Sequence, residues 1–255
     1  MSQQQFQDDL QVYFQFLMEV LEVTKESNGN AEAVYPLLRA NTDKLNHNFA
    51  NILRHWAIIE FETTEPDVAE FIAVIIIEFG NLVQQFPLGD KASNIEIAIT
   101  SYETVLKVFT RKAFPQEWAT MQNNLGNAYS ERIKGDKADN IENAISLCKI
   151  ALQVRTRQDF PQDWAMTQNN LANAYSERIK GDKANNIESA ITAYNAALQV
   201  RNRQAFPQKW AILQNNLGTA YGERIKGDKA GNIENSIRAY NAALQVRTRQ
   251  AYTKN

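Results

Sequence analysis

NNLANAYSERIKGDKANNIESAITAYNAALQVR occupies Asn169 to Arg201. Much of it stands elsewhere in the chain. YSERIKGDKA also spans 129–138, ERIKGDKA spans 223–230, and ALQVR occurs at 151–155, 197–201 and 243–247. Trp118, Trp164 and Trp210 are 46 residues apart, as are Pro115, Pro161 and Pro207, and Gly89, Gly135, Gly181 and Gly227. A fixed period of this length is the signature of a stacked array in which no unit buries its own apolar face.

Each unit reads as two helices. The first opens at Phe-Pro, where the missing N–H of Pro161 costs nothing. Trp164, Leu171, Tyr175 and Ile179 follow at helical spacing, and Gly181 is the expected stop. The second is expected to begin at SNIE (93–96), DNIE (139–142), NNIE (185–188) and GNIE (231–234). The first residue of each is a favoured N-cap, and the Glu three places on is the other half of a capping box where Ser leads. Ile187, Ala190, Ile191, Tyr194, Ala197 and Leu198 then form an apolar stripe.

The motifs LGNAY (125–129), LANAY (171–175) and LGTAY (217–221) resemble the first-helix core of the tetratricopeptide repeat, and Ala144/Cys148, Ala190/Tyr194 and Ser236/Tyr240 its second-helix element. Gln122, Gln168 and Gln214 stand where that family has Trp, and the period exceeds its usual length of about 34. The chain is thus similar to the long, kinesin-light-chain type of repeat, and to repeat arrays of bacterial signalling proteins that often end in a caspase-like CHAT peptidase domain, which no residue here could supply. The resemblance covers about residues 66–252 and implies an all-α fold: a right-handed α-solenoid of stacked helix hairpins, a TPR-like superhelix with an N-terminal helical cap.

The expected organisation is a capping region over 1–65, a degenerate repeat over 66–110, and repeats over 111–157, 158–203 and 204–255. The degenerate repeat follows from register: FGN at 79–81 falls one period before LGN at 125–127.

Helical projection puts Trp118, Met121, Leu125 and Tyr129 on one face of the first helix and Asn123 and Asn127 on the opposite one. The equivalents are Met166, Asn169 and Asn173, then Ile212, Asn215 and Thr219. The family resemblance implies that first helices line a concave peptide-binding groove, with this asparagine ladder as its surface. An amide both donates to and accepts from a peptide backbone. The competing reading is that these amides satisfy neighbouring helices. In the degenerate repeat, Val74, Ile77 and Asn81 make the same face more apolar. Asn124, Asn170 and Asn216 point sideways and read as structural.

Arg132, Arg178 and Arg224 fall on the apolar face, where an unpaired charge is expensive. Glu142, Glu188 and Glu234 recur in step, so the expected structural ion pairs lie within each repeat: Arg132 with Glu142, Arg178 with Glu188, Arg224 with Glu234. Arg155/Arg157, Arg201/Arg203 and Arg247/Arg249 close the second helices, where cations complement the helix dipole. Stacked, they would form a basic ridge.

Composition narrows the function class. The 255 residues carry net charge −2. Residues 1–88 carry −9 (4 Lys/Arg, 13 Asp/Glu) and residues 89–255 carry +7 (23 and 16). Such polarity bears on association rather than fold. The single cysteine, Cys148, excludes an internal disulfide and suits a reducing compartment. The N-terminus lacks the layout of a signal peptide, and the longest apolar run, 71–77, is too short to span a bilayer. His47 and His55 have no metal-binding motif around them, and no phosphate-binding loop or nucleophile elbow is present.

The expectation is therefore a cytoplasmic, non-enzymatic interaction scaffold, with no cofactor, no metal and no membrane. Its partner is another protein or peptide, with end-to-end self-association of the chain expected besides. The alternatives are the regulatory part of a CHAT-type peptidase system with the enzyme on another chain, and a nucleic-acid adaptor working through the Arg ridge. The second is disfavoured by the acidic balance of the whole chain.

Overall fold

A computed structural model describes residues 3–253, with the side chains of 3–9 and 247–253 outside that description. The described residues form helices and connecting turns, with no strands. The chain divides into two compact units, Met1–Lys137 and Ala138–Asn255.

The first unit holds α1 (Gln3–Glu26), α2 (Ala31–Ala40), a 3-10 turn (Thr42–Lys44), α3 (His47–Thr63), α4 (Pro66–Gln85), α5 (Lys91–Val105) and α6 (Pro115–Glu131). α4 packs on α5, and α5 on α6. α1 and α3 cover the other side, meeting α4 and α5. The seam is aromatic: Phe49 of α3 lies between Phe16 of α1 and Phe79 of α4, with ring centroids 5.2 and 5.8 Å away. All three rings are buried, and burying such a side chain contributes about 1.5–3 kcal/mol. Phe86 holds the position one period before Arg132. It is buried against Tyr35 of α2, 5.1 Å between centroids, so the first hairpin has an apolar side chain where later ones have a cation.

The second unit holds nearly all of α7 (Lys137–Ala151), then α8 (Pro161–Glu177), α9 (Lys183–Leu198), α10 (Pro207–Gly222) and α11 (Lys229–Thr253). α8 pairs with α9 and α10 with α11, and α10 lies along α9. Ala165, Ala172, Ile187, Ala190, Ile191 and Tyr194 share one buried cluster with Leu213 and Leu217. Small residues on the first helices let the bulkier second-helix stripe approach closely.

Local chemistry explains the boundaries. Pro161 and Pro207 open α8 and α10 after Phe160 and Phe206, whose carbonyls accept the Trp164 and Trp210 amides at 2.8 Å. The first helices end earlier than the glycine signal suggests: α8 stops at Glu177, and Arg178 is extended (φ −61°, ψ 124°). Gly181, at φ 78°, sits in the turn beyond. Ile179 is therefore exposed, as are Ile133 and Ile225, rather than part of the packing face.

The second helices begin earlier than the NIE signal suggests. Asp90 caps α5 by accepting the Ser93 amide at 3.0 Å and the Ser93 hydroxyl at 2.6 Å, and Asp182 caps α9 by accepting the Asn185 amide at 2.8 Å. The aspartate of the GDKA turn is thus the cap, placing an anion at the positive end of the dipole. The residue read as the cap lies in the first turn.

Candidate interaction surface

In each unit the arginine that ends a first helix reaches back one repeat. Arg178 donates from Nε and Nη2 to both oxygens of Glu142, at 2.7 and 2.9 Å, and Arg224 makes the same fork with Glu188. In the first unit Arg132 forks Glu96 at the same distances. The expected pairings of Arg132 with Glu142, Arg178 with Glu188 and Arg224 with Glu234 are therefore corrected: the partners are 36 residues upstream, not 10 downstream. The extended backbone at Arg178 turns its side chain out of the helical stripe toward the preceding second helix. Glu234 is exposed. These bonds hold the Glu142 and Glu188 carboxyls below the usual range and raise the three guanidinium values.

Arg178 and Arg224 are each braced by an asparagine that the sequence reading passed over. Asn186, buried, donates to the Lys180 carbonyl at 2.9 Å and the Arg178 carbonyl at 3.4 Å, and accepts from Arg178 Nη1 at 3.4 Å. Asn232 repeats these contacts around Arg224 and Lys226. Its signal was the N of N-I-E, identical in all four copies and taken for part of the cap.

The asparagine ladder divides by residue. Asn173 accepts from the Tyr194 hydroxyl at 2.7 Å and from Asn216 at 3.3 Å. Asn216 also lies 3.5 Å from the Asn169 oxygen, and Asn169 donates to Asn170 at 3.3 Å. In the first unit Asn81 takes the same part, accepting from Tyr102 and Asn124. Asn123 is 2% exposed, and half-buried Asn127 donates to Glu131 at 3.1 Å. Much of the ladder therefore fastens helices together, with Tyr194 buried enough for its hydroxyl pKa to rise to about 12.

The second unit's share of this surface lies on α8 and α10. Met166, Asn169 and Asn173 follow one another at i, i+3 and i+7, and Ile212, Asn215 and Thr219 repeat that spacing on the adjacent first helix. Ile212 and Thr219 are exposed; Met166, Asn169, Asn173 and Asn215 are half-buried. In the first unit Val74 is exposed, whereas Ile77 and Asn81 are half-buried.

The basic ridge is not formed as expected. Arg155 is 1% exposed and bonds Thr167 at 3.0 Å; Arg201 is also buried, and burial lowers both pKa values. Arg157 and Arg203 lie over the rings of Trp164 and Trp210, 6.0 and 5.5 Å from the centroids, and bond Gln199 and Gln245. Arg155 and Arg157 thus fasten their repeat to residues of 158–203, Arg203 fastens to residues of 204–255, and Arg201 bonds the Gln162 carbonyl within its own repeat. Arg247 and Arg249 lie outside the described side chains. Among the described residues no His, Cys, Asp and Glu cluster could hold a metal, and no helix is long and apolar enough to cross a membrane.

No protein-family model matches the sequence, and no curated protein does. The fold does have a solved counterpart. The crystal structure of BtubC (BKLC) from P. vanneervenii superposes with a TM-score of 0.60 over 96% of this chain and 92% of that one, at 17% identity. That likeness establishes the fold: an all-α helical-repeat solenoid of stacked helix hairpins.

Proposed function

We propose that this protein is an interaction scaffold and that its second unit binds an extended peptide along α8 and α10. The supporting observation is the pair of matching files, Met166–Asn169–Asn173 and Ile212–Asn215–Thr219, presented side by side. Ile212 offers an apolar anchor, with Met166 beside it. Asn215 offers an amide to a peptide backbone, and Thr219, whose hydroxyl bonds the Tyr240 hydroxyl at 2.9 Å, flanks it. Asn169 and Asn173, held by Asn216 and Tyr194, fix the wall against which the peptide lies. Asn123 and Asn127 hold the corresponding positions in the first unit, where burial of Asn123 leaves Asn127 as the reachable group. The helical-repeat fold supports interaction with another protein in general, and no chemistry on these surfaces calls for a cofactor.

Selection from a displayed random-peptide library tests the reading. Ile212→Lys with Asn215→Ala should weaken selected peptides at least ~10-fold, a loss of about 1.4 kcal/mol, and leave the melting temperature nearly unchanged. Asn173→Ala should instead lower the melting temperature, because it strips the Tyr194 hydroxyl of its acceptor. Failure to enrich any peptide, or equal binding to the Lys/Ala variant, would place the ligand face elsewhere.

A further inference from the structure

The chain carries an uncovered apolar face in each unit, and the two differ in charge. Ile233, Ile237, Tyr240 and Leu244 of α11 stand 46 residues after Ile187, Ile191, Tyr194 and Leu198 of α9. In α9 the first three are at most 6% exposed, in one cluster with Leu213 and Leu217 of the next first helix, and Leu198 packs against it. In α11 the same four positions are 40–56% exposed. Contiguous apolar surface of this kind marks a contact. The covered face of α9 shows what it accepts: an adjoining helix pair.

The first unit offers such a pair. Leu10 and Phe14 of α1 and Ile59 of α3 are 40–50% exposed. With Ile52 and Trp56 they line an apolar groove of about 560 Å³ between the two helices. The opposite sides of α1 and α3 pack on α4 and α5, so this pair is already a layer of the stack with one face covered. Charge favours the match: residues 1–65 carry 4 Lys/Arg against 10 Asp/Glu, and residues 204–255 carry 8 against 3.

We infer that the occupant of the α11 face is a second copy of this chain, presenting its α1–α3 face, so that copies associate head to tail through two different patches. Such a heterologous contact leaves one patch of each kind free on every dimer and generates rings or open chains rather than a closed pair. This inference does not rest on the peptide site, which lies on α8 and α10.

Sedimentation velocity over a concentration series at low and high salt tests it, with two variants built on exposed residues. Phe14→Glu with Ile59→Glu blocks one patch, and Ile237→Glu with Leu244→Glu blocks the other. The wild type should grow in mass with concentration, more so at low salt. Each variant alone should remain monomeric, and an equimolar mixture should form a 1:1 dimer and nothing larger, because each supplies the patch the other lacks. Circular dichroism checks folding, and glutamine at the same positions replaces glutamate if helicity is lost. A wild type that stays monomeric at the highest concentration in low salt overturns the inference. So does a dimer that survives intact in either variant alone, which would be a symmetric pair of like faces.

Discussion

Arg178 grips Glu142 with two parallel hydrogen bonds of 2.7 and 2.9 Å, from the end of one first helix to the second helix of the hairpin before it. Glu188, ten residues downstream, is committed to Arg224. The bond is therefore between repeats, although both residue types occur in every repeat.

A double-mutant cycle resolves this assignment. Arg178→Ala and Glu142→Ala should couple by about 1 kcal/mol, as befits a bidentate but partly solvated pair. Arg178→Ala and Glu188→Ala should be additive, each losing a different partner. Urea melts of the wild type, the three single variants and the two double variants give both numbers.

Acid should loosen the same contacts. The Arg178 and Arg224 forks depress the folded pKa values of Glu142 and Glu188. Their stabilisation is thus complete above the free carboxyl value of about 4.3 and is lost as pH falls through the lowered folded values. The variant carrying Glu142→Gln and Glu188→Gln should melt below the wild type at neutral pH. The gap should close on acidification below about pH 4. A gap that is constant with pH would show that the carboxylate charge is immaterial.

The GDKA turn and the helix after it should each be intolerant at one position. Gly181 has φ 78°, and an alanine there should cost about 1–2 kcal/mol. Asn186→Leu keeps the volume but leaves the Lys180 and Arg178 carbonyls without their amide donor, at a cost of about 1–3 kcal/mol. Chemical denaturation of each variant measures these losses.

Cys148 should be silent toward thiol reagents. It is 1% exposed, and burial pushes its pKa up to about 12. Since the thiolate is the reactive form, labelling with a chromogenic disulfide should be slow in the native protein and stoichiometric in denaturant. Rapid native labelling would mean that α7 opens.

The helices were legible in the sequence because their markers are local. Pro161, Trp164 and the Ile187 stripe act within one or two turns and recur at 46. The ion pairs were not, because in a periodic chain every Arg–Glu spacing recurs. Sequence alone cannot tell a partner 10 residues ahead from one 36 behind, and only the extended backbone at Arg178 decides. The cap was misplaced because Asp182 and Asn185, three residues apart, both suit the role. The asparagines were ambivalent for a related reason. An amide bonds equally well to a ligand or to a neighbouring helix, and it took the Tyr194 hydroxyl and Asn216 to claim Asn173.

The 36-residue reach of the arginine fork also governs how such a gene can change length. Donor and acceptor of each fork belong to adjacent copies, so duplicating or deleting any in-frame block of 46 codons within the array adds or removes one of each. Every interior guanidinium still finds a carboxylate waiting. Phe86, standing where the first arginine would be, spares the opening hairpin the need for an upstream acid. Lengthening by whole units thus leaves every fork paired, whereas a slip of a few codons would strand a charge at each junction it crossed.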